Sequence, residues 1–149
     1  MKRKQELEDI FAIFHDGIIE DFKIESDKVE LKICIEYLAE LLDEKYEYLN
    51  ITLLKIKSIQ YDPWSDKPNT IDDWHQIFDL LIEIINVETD EKGQLVVHTS
   101  CRNAPDKSFQ GGKLIIDCDD YTLSDQGNNK LSLSKLKDLS AYYWNEKFG

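Results

Sequence analysis

The chain has 149 residues, 42% hydrophobic and 11% aromatic, which fits one folded domain over residues 1–149 and argues against a disordered chain. Its 30 Asp and Glu residues outnumber its 18 Lys and Arg residues, and the formal net charge is −12. Such a charge repels phosphate backbones and anionic lipid headgroups, whereas it attracts a basic protein. We therefore expect no nucleic-acid binding and no membrane binding.

The sequence shows no targeting or membrane-spanning segment. Its basic start is followed by a charged run and not by a continuous apolar stretch. The best apolar candidate, FDLLIEIINV, is too short to span a bilayer and contains Asp79 and Glu83. The three cysteines, which form no CxxC pair, are Cys34, Cys101 and Cys118. This pattern is typical of free thiols in a reducing cytoplasm, where we expect the protein to act.

The chain begins with a helix pattern. Residues 3–14 place Leu7, Ile10, Phe11 and Phe14 on one helical face. The sequence therefore predicts an N-terminal helix that ends before Gly17, which permits a tight turn.

Strand patterns follow this helix. Residues 18–25 and 29–37 alternate apolar and polar side chains on either side of a turn, which predicts a hairpin. Residues 38–50 fit either a short helix or a loop. Residues 51–61 predict another strand, with a bulge near Leu53 and Leu54 where the alternation slips.

The second half repeats the strand-rich pattern. Residues 62–70 contain two prolines and predict a break, after which Thr70 is placed to cap a short helix over 71–78. Two β-rich runs, 79–88 and 94–102, flank a turn with Gly93 and predict a second hairpin.

A loop, a strand and a helix complete the chain. The sequence predicts a loop over 103–112, a strand over 113–123 and a turn over 124–129. A helix over 132–148 is expected to follow a serine cap. The short connections favour antiparallel neighbours. We predict an α+β fold: a mainly antiparallel meander of about six strands with N- and C-terminal helices.

The segment FHDGII contains a candidate polar site, His15 and Asp16. Histidine is the usual general base near neutral pH, but neighbouring residues point in different directions on a helix or a strand. The two side chains are therefore not expected to form a catalytic dyad with each other. A metal site is an alternative, although His75 and His98 lie in no HxH or HxxxH spacing. The structural interpretation is a turn in which Asp16 accepts backbone hydrogen bonds.

The segment DCDDY contains a second candidate, Asp117 and Asp119. Alternate residues of a strand share one face, and two carboxylates there can hold a divalent cation. Together with His15 and Asp16 they define an alternative function, a metal-dependent hydrolase. The structural interpretation is that these acids face water at a strand end.

Acidic and aromatic residues give a third kind of candidate, a binding surface. Between Glu6 and Glu44 there are thirteen acids and three lysines. Paired strands would place Glu20, Glu30 and Glu36 on one solvated face, where they could attract a basic partner, with Trp64 as an exposed anchor. Other aromatic residues at the chain's end, Tyr142, Tyr143 and Trp144, cannot all face inward on one helix.

The segment FHDGIIEDFKIESDKVELKICI resembles the opening of small bacterial domains that begin with a His-Asp-small turn and continue into a hairpin. The matching residues are His15, Asp16, Gly17, Ile18, Val29, Leu31 and Ile33. The segments YDPW and LSAYYW are similar in style. Some of these domains are similar to immunity proteins of polymorphic toxin systems, which bind and block a cognate toxin. The resemblance covers about a quarter of the chain and carries over no toxin-contact residues.

Three functions remain open from the sequence. The first is a non-catalytic, immunity-type inhibitor that covers a basic toxin with an acidic surface and needs no cofactor or metal. The second is the metal-dependent hydrolase. The third is a structural domain that self-associates through a sheet edge. We favour the first because the acidic residues concentrate in the first third of the chain and no catalytic motif is recognisable.

Overall fold

The computed structural model describes residues 2–65, 69–104 and 110–148. The four helices in this part of the chain are α1 (Lys2–Ile13), α2 (Glu36–Ala39), α3 (Trp74–Phe78) and α4 (Leu133–Phe148). The seven strands are β1 (Ile18–Glu25), β2 (Lys28–Cys34), β3 (Tyr48–Pro63), β4 (Ile82–Thr89), β5 (Leu95–Cys101), β6 (Gly111–Asp125) and β7 (Lys130–Leu131). The α+β class, the antiparallel sheet and the two terminal helices are confirmed.

The sheet consists of two three-stranded meanders that pair with each other. One meander is β1-β2-β3 and the other is β4-β5-β6, with β7 at the edge of β6. The long strand β3 pairs with β6 from Leu49–Asp125 to Pro63–Gly112. On the other side β1 pairs with β4 at one residue pair, Ile18 and Glu83. The sheet therefore closes on itself, which the predicted simple meander did not include.

Helix α1 supplies a large part of the core. Leu7, Ile10 and Phe11 of this helix, and Phe14 directly after it, are at most 2% exposed, which confirms the predicted apolar face. The helix packs against β4, β5, β6 and α4. Burial of this face stabilises the helix, because a twelve-residue helix is marginal by itself in water.

Helix α4 covers the end of α1. The predicted serine cap is present, since Ser132 Oγ accepts a hydrogen bond from Lys135 N at 3.0 Å. Leu136 and Leu139 are buried. Lys137 also forms an ion pair with Asp9 of α1 at 3.3 Å. These contacts fix the position of the last turns of α4, which carry Tyr143 and Trp144.

Two local predictions were wrong in position. The register of β3 against β6 shifts between Ile56 and Ser58, beyond the predicted Leu53 and Leu54. The alternation of buried residues does change phase earlier, between Leu53 and Ile56. Lys55 takes a positive φ of 52° there. Helix α3 begins at Trp74 and is capped by Asp73, whose Oδ1 accepts from Gln76 N at 3.2 Å.

Thr70, the predicted cap, instead donates a hydrogen bond to Asp62 at 2.8 Å. Parts of the predicted break over 62–70 and of the predicted loop over 103–112, namely 66–68 and 105–109, lie outside the described residues. The three cysteines are free in the structure. No helix in the described part of the chain has the length and apolar character needed to cross a membrane.

Candidate functional site

The FHDGII segment forms the turn between α1 and β1, and its backbone pairs with β4 of the other meander. Asp16 N donates a hydrogen bond to Ile84 O at 2.7 Å, and Ile84 N donates to Gly17 O at 2.9 Å. His15 O accepts a hydrogen bond from Tyr37 Oη at 3.1 Å. All of the atoms that His15, Asp16 and Gly17 contribute to these bonds belong to the backbone. The turn therefore closes the sheet through its main chain.

The side chains of this turn have separate surroundings. His15 Nδ1 lies 2.8 Å from Ala12 O, and the ring stacks on Trp144 with centroids 5.4 Å apart. His15 Nε2 lies 3.9 Å from Asp16 Oδ2, which is too far for a hydrogen bond. The two residues thus form a loose ion pair when histidine is protonated, without the short contact of a catalytic dyad.

The structure places the second pair of predicted metal ligands elsewhere. Asp117 pairs with Lys4 at 3.1 Å, and Asp119 pairs with Lys57 at 3.4 Å. Lys4 belongs to the first turn of α1, whereas His15 follows its last turn, about 16 Å away along the helix axis. Within residues 2–65, 69–104 and 110–148, no three His, Cys, Asp or Glu side chains are grouped so that they could hold a metal ion.

The predicted acidic surface residues differ in their ion pairs. Glu20 pairs with Lys32 at 3.9 Å. Glu30 lies opposite Lys23 in the β1–β2 register, but Lys23 forms its ion pair with Glu25 at 3.4 Å. Glu36 is the first residue of α2, and its charge acts on the Cys34 thiol together with that of Glu20.

Trp64 stands apart from the predicted acidic residues. It directly follows Pro63, the last residue of β3, and its backbone N–H donates a hydrogen bond to Gly111 O at 2.8 Å. The side chain is 52% exposed. The structure therefore does not bring Trp64 into one surface with Glu36.

An acidic segment, residues 36–47, carries several acids close together in the sequence that form no ion pair with the described residues. It contains five acids and a single base, Lys45. In the part of the chain that the structure describes, ion pairs within 4.0 Å involve none of these acids. All five are exposed: Glu36, Glu40, Asp43, Glu44 and Glu47. Their field acts outward on solvent and on approaching molecules.

A groove with a volume of about 570 Å³ lies beside the acidic segment. It runs between the FHDGII turn, α2 and the last turns of α4. Its acidic lining residues are Asp16, Glu36 and Glu40, and its aromatic lining residues are Tyr37, Tyr143 and Trp144. We call it the aromatic groove. Ligand pockets commonly measure roughly 300–1,000 Å³, so its volume is sufficient for a small group or a side chain.

The three aromatic rings of this groove contact one another. The ring centroids of Tyr37 and Tyr143 are 4.4 Å apart, and those of Tyr143 and Trp144 are 5.1 Å apart. Tyr37 lies 6.2 Å from Trp144. Because the Tyr37 hydroxyl is bound to the FHDGII turn, the rings are held in place by two different helices and by the turn.

The surroundings in the groove also raise the pKa values of two residues that line it. Burial, with a smaller contribution from the negative charge of Asp16, raises the pKa of Tyr37 to about 12. Burial and then the charge of Glu20 raise the pKa of the Cys34 thiol, which makes it a poor nucleophile. Neutral phenol and thiol groups surrounded by carboxylates are suited to binding a cation rather than to nucleophilic catalysis.

Sequence reasoning did not assign Tyr37 or Glu40 to a site, and it named Tyr143 and Trp144 only as aromatic residues that cannot all face inward. One local signal was present: EYLAE places Glu36 and Glu40 four residues apart, on one side of a helical turn. The meeting of α2 with α4 depends on contacts between distant parts of the chain and has no local signal. Comparisons with protein-family models, with curated proteins and with solved structures found no match for this chain.

The role of the turn can be tested at Asp16, which has a φ of 72°. Asparagine tolerates this left-handed conformation, so Asp16→Asn is expected to change the free energy of unfolding by no more than about 0.5 kcal/mol. Asp16→Val is expected to cost about 1–2 kcal/mol, because a β-branched residue is strained there. Urea unfolding of both variants measures the difference. A loss with asparagine as large as with valine would show that the carboxylate itself holds the turn.

Alkaline titration tests the surroundings of Tyr37. Since its pKa in the folded protein is raised to about 12, the neutral phenol contributes stability that is complete below the ordinary pKa of about 10. That contribution is lost as the pH rises from about 10 through about 12. The difference in tyrosinate absorbance between the wild type and Tyr37→Phe isolates this group. Asp16→Asn is expected to lower its midpoint, and a midpoint near 10 in the wild type would contradict the described burial.

Proposed function

We propose that this protein is a non-catalytic binding protein of the immunity type, which acts in the cytoplasm and blocks a basic protein by covering its basic surface. The observation that carries the proposal is the acidic segment 36–47, whose five acids form no ion pair within the described chain. Free carboxylates on an exposed surface steer a basic partner and pair with it once it is bound. The resemblance of the FHDGII region to immunity proteins supports a toxin as that partner.

The ion pairs support a choice among the predicted acids. Glu20 pairs with Lys32, whereas Glu36 and Glu40 form no ion pair in the described residues. We therefore assign the contact surface to α2, the loop that follows it and the adjacent aromatic groove. Occlusion of the partner's basic cleft needs no reacting group on this chain.

The test is an association experiment with the full chain as bait, in a lysate of the source organism, from about 0.1 M to about 1 M salt. Over that range the Debye length falls from about 10 Å to about 3 Å, so a partner held by charge is released. The variant Glu40→Gln/Glu44→Gln is expected to lose the partner at lower salt than the wild type. The proposal would be contradicted if no basic protein is found whose binding is weakened by these two substitutions.

A matched control changes net charge equally at another place. Glu91 lies in the turn between β4 and β5, and Asp138 lies on the exposed face of α4. Glu91→Gln/Asp138→Asn is expected to retain the partner at all salt concentrations at which the wild type retains it. Equal losses in both double variants would mean that net charge alone, and not the acidic segment, determines binding.

A further inference from the structure

The aromatic groove has a composition that neither a core nor a purely acidic surface explains. Tyr37, Tyr143 and Trp144 are partly exposed in it, and such residues are enriched at interfaces because one end of the side chain is apolar and the other polar. Carboxylates of Asp16, Glu36 and Glu40 line the same space. Among the described residues, no lysine or arginine lines the groove. Faces of aromatic rings beside uncompensated carboxylates attract organic cations in particular.

We propose that the aromatic groove receives an arginine side chain of the basic protein partner; this inference rests on the proposed function and names the contact. A guanidinium group is planar and weakly hydrated, so it stacks on a tyrosine or tryptophan ring while its edge donates hydrogen bonds to a carboxylate. Rings and carboxylates occur together in this groove. A lysine ammonium group is a strongly hydrated point charge and uses only part of this arrangement.

A lysine of this chain already occupies one approach to the rings. Lys147 Nζ lies 5.9 Å from the centroid of the Tyr143 ring, within the range of a cation–π interaction. Its side chain is exposed and is positioned by the last turn of α4. An incoming guanidinium would meet repulsion from this ammonium group. Removal of Lys147 is therefore expected to strengthen the binding of an arginine peptide.

The experiment uses the full chain and two peptides of equal charge, acetyl-GRGGRG-amide and acetyl-GKGGKG-amide. Titrations are followed by the ¹H–¹⁵N NMR signals of the Trp144 indole and of the backbone around Tyr37 and Tyr143. The arginine peptide is expected to shift these signals and to bind about two- to ten-fold more tightly than the lysine peptide. Tyr143→Leu is expected to weaken arginine binding by about two- to ten-fold.

Two further variants make the test specific. Tyr142→Leu removes a neighbouring ring that is 57% exposed and does not line the groove, so it is expected to leave the affinity unchanged. Lys147→Met is expected to raise the affinity for the arginine peptide by about two-fold or more. Because Lys147 is exposed and does not line the groove, this substitution leaves the packing of the groove unchanged. The thermal melting of each variant shows whether the fold is retained.

The outcomes separate this inference from the proposed function. If both peptides bind equally or not at all, and Tyr143→Leu and Lys147→Met have no effect, the arginine contact is refuted. The proposed function would still stand in that case if Glu40→Gln/Glu44→Gln releases the partner. If the arginine peptide binds as expected but no partner responds to the acidic variants, the groove is a cation site and the inhibitor function is refuted.

Discussion

Phe11→Ala is expected to cost about 3–5 kcal/mol of the free energy of unfolding. The side chain of Phe11 is 0% exposed and packs edge-on against Phe14, with ring centroids 6.1 Å apart. It belongs to the α1 face that fills the space against β4, β5 and β6, so truncation leaves a cavity among elements of both halves of the chain. A domain of this size is typically stable by about 5–15 kcal/mol, so the variant would lose a large fraction of its stability.

Chemical denaturation of the wild type and of Phe11→Ala measures this loss. Tyr142→Ala serves as the matched control, because this aromatic residue is also helical but is 57% exposed. It is expected to change the free energy of unfolding by less than about 0.5 kcal/mol. A similarly small change for Phe11→Ala would mean that α1 is not an integral part of the core.

Gly112→Ala is expected to produce the second large effect, a loss of about 1–3 kcal/mol. Gly112 lies in β6 between β5 and β3 and pairs with Thr99 and Pro63. A methyl group on it would clash with the carbonyl oxygen of Asp62 and would come within 2.8 Å of the Cα of Pro63. Since those atoms belong to the backbone of the neighbouring strand, the β3–β6 pairing itself would have to move.

Thermal unfolding of Gly112→Ala can be compared with that of Thr122→Ala, an exposed position of the same strand. We expect the threonine variant to remain close to the wild type, because its side chain is solvated. If Gly112→Ala were equally stable, the close approach of β3 to β6 would not be a requirement of the fold.

The hairpins could be predicted because their signals are local. In β2 the buried residues Val29, Leu31 and Ile33 alternate with polar ones, and a turn of a few residues brings the partner strand back. The N-terminal helix was likewise visible from the spacing of its apolar residues. These features depend on neighbours within a few positions in the sequence.

Closure of the sheet could not be predicted, because it depends on pairs that are distant in sequence. Leu49 and Asp125 are paired, as are Ile18 and Glu83, and no periodicity in either strand identifies its partner. The position of the register shift between Ile56 and Ser58 has the same cause, since it is defined by the pairing with β6 and not by the local alternation.

The candidate site was predictable only in part. The excess of acidic residues was evident from the sequence. However, residues 38–50 fitted either a helix or a loop, so the location of the acids in this segment could not be predicted. The prediction grouped Glu36 with Glu20 and Glu30 and did not assign a role to the neighbouring acids of the segment, Glu40, Asp43, Glu44 and Glu47. The aromatic groove requires α2 and α4 to meet, which follows only from the packed structure.

The short pairing of the FHDGII turn and β1 with β4 has a consequence for dynamics. Local opening between β1 and β4 breaks the hydrogen bonds of Asp16 and Ile84, whereas separation of β3 from β6 breaks a long ladder. Amide hydrogen exchange is therefore expected to be fast at Asp16 and Ile84 through subglobal opening, and slow in β3.

Because Asp16 lines the aromatic groove and Tyr37 is bonded to the same turn, a molecule held in the groove would suppress this opening. Binding in the groove would then slow amide hydrogen exchange at Asp16 and Ile84, where the two meanders meet.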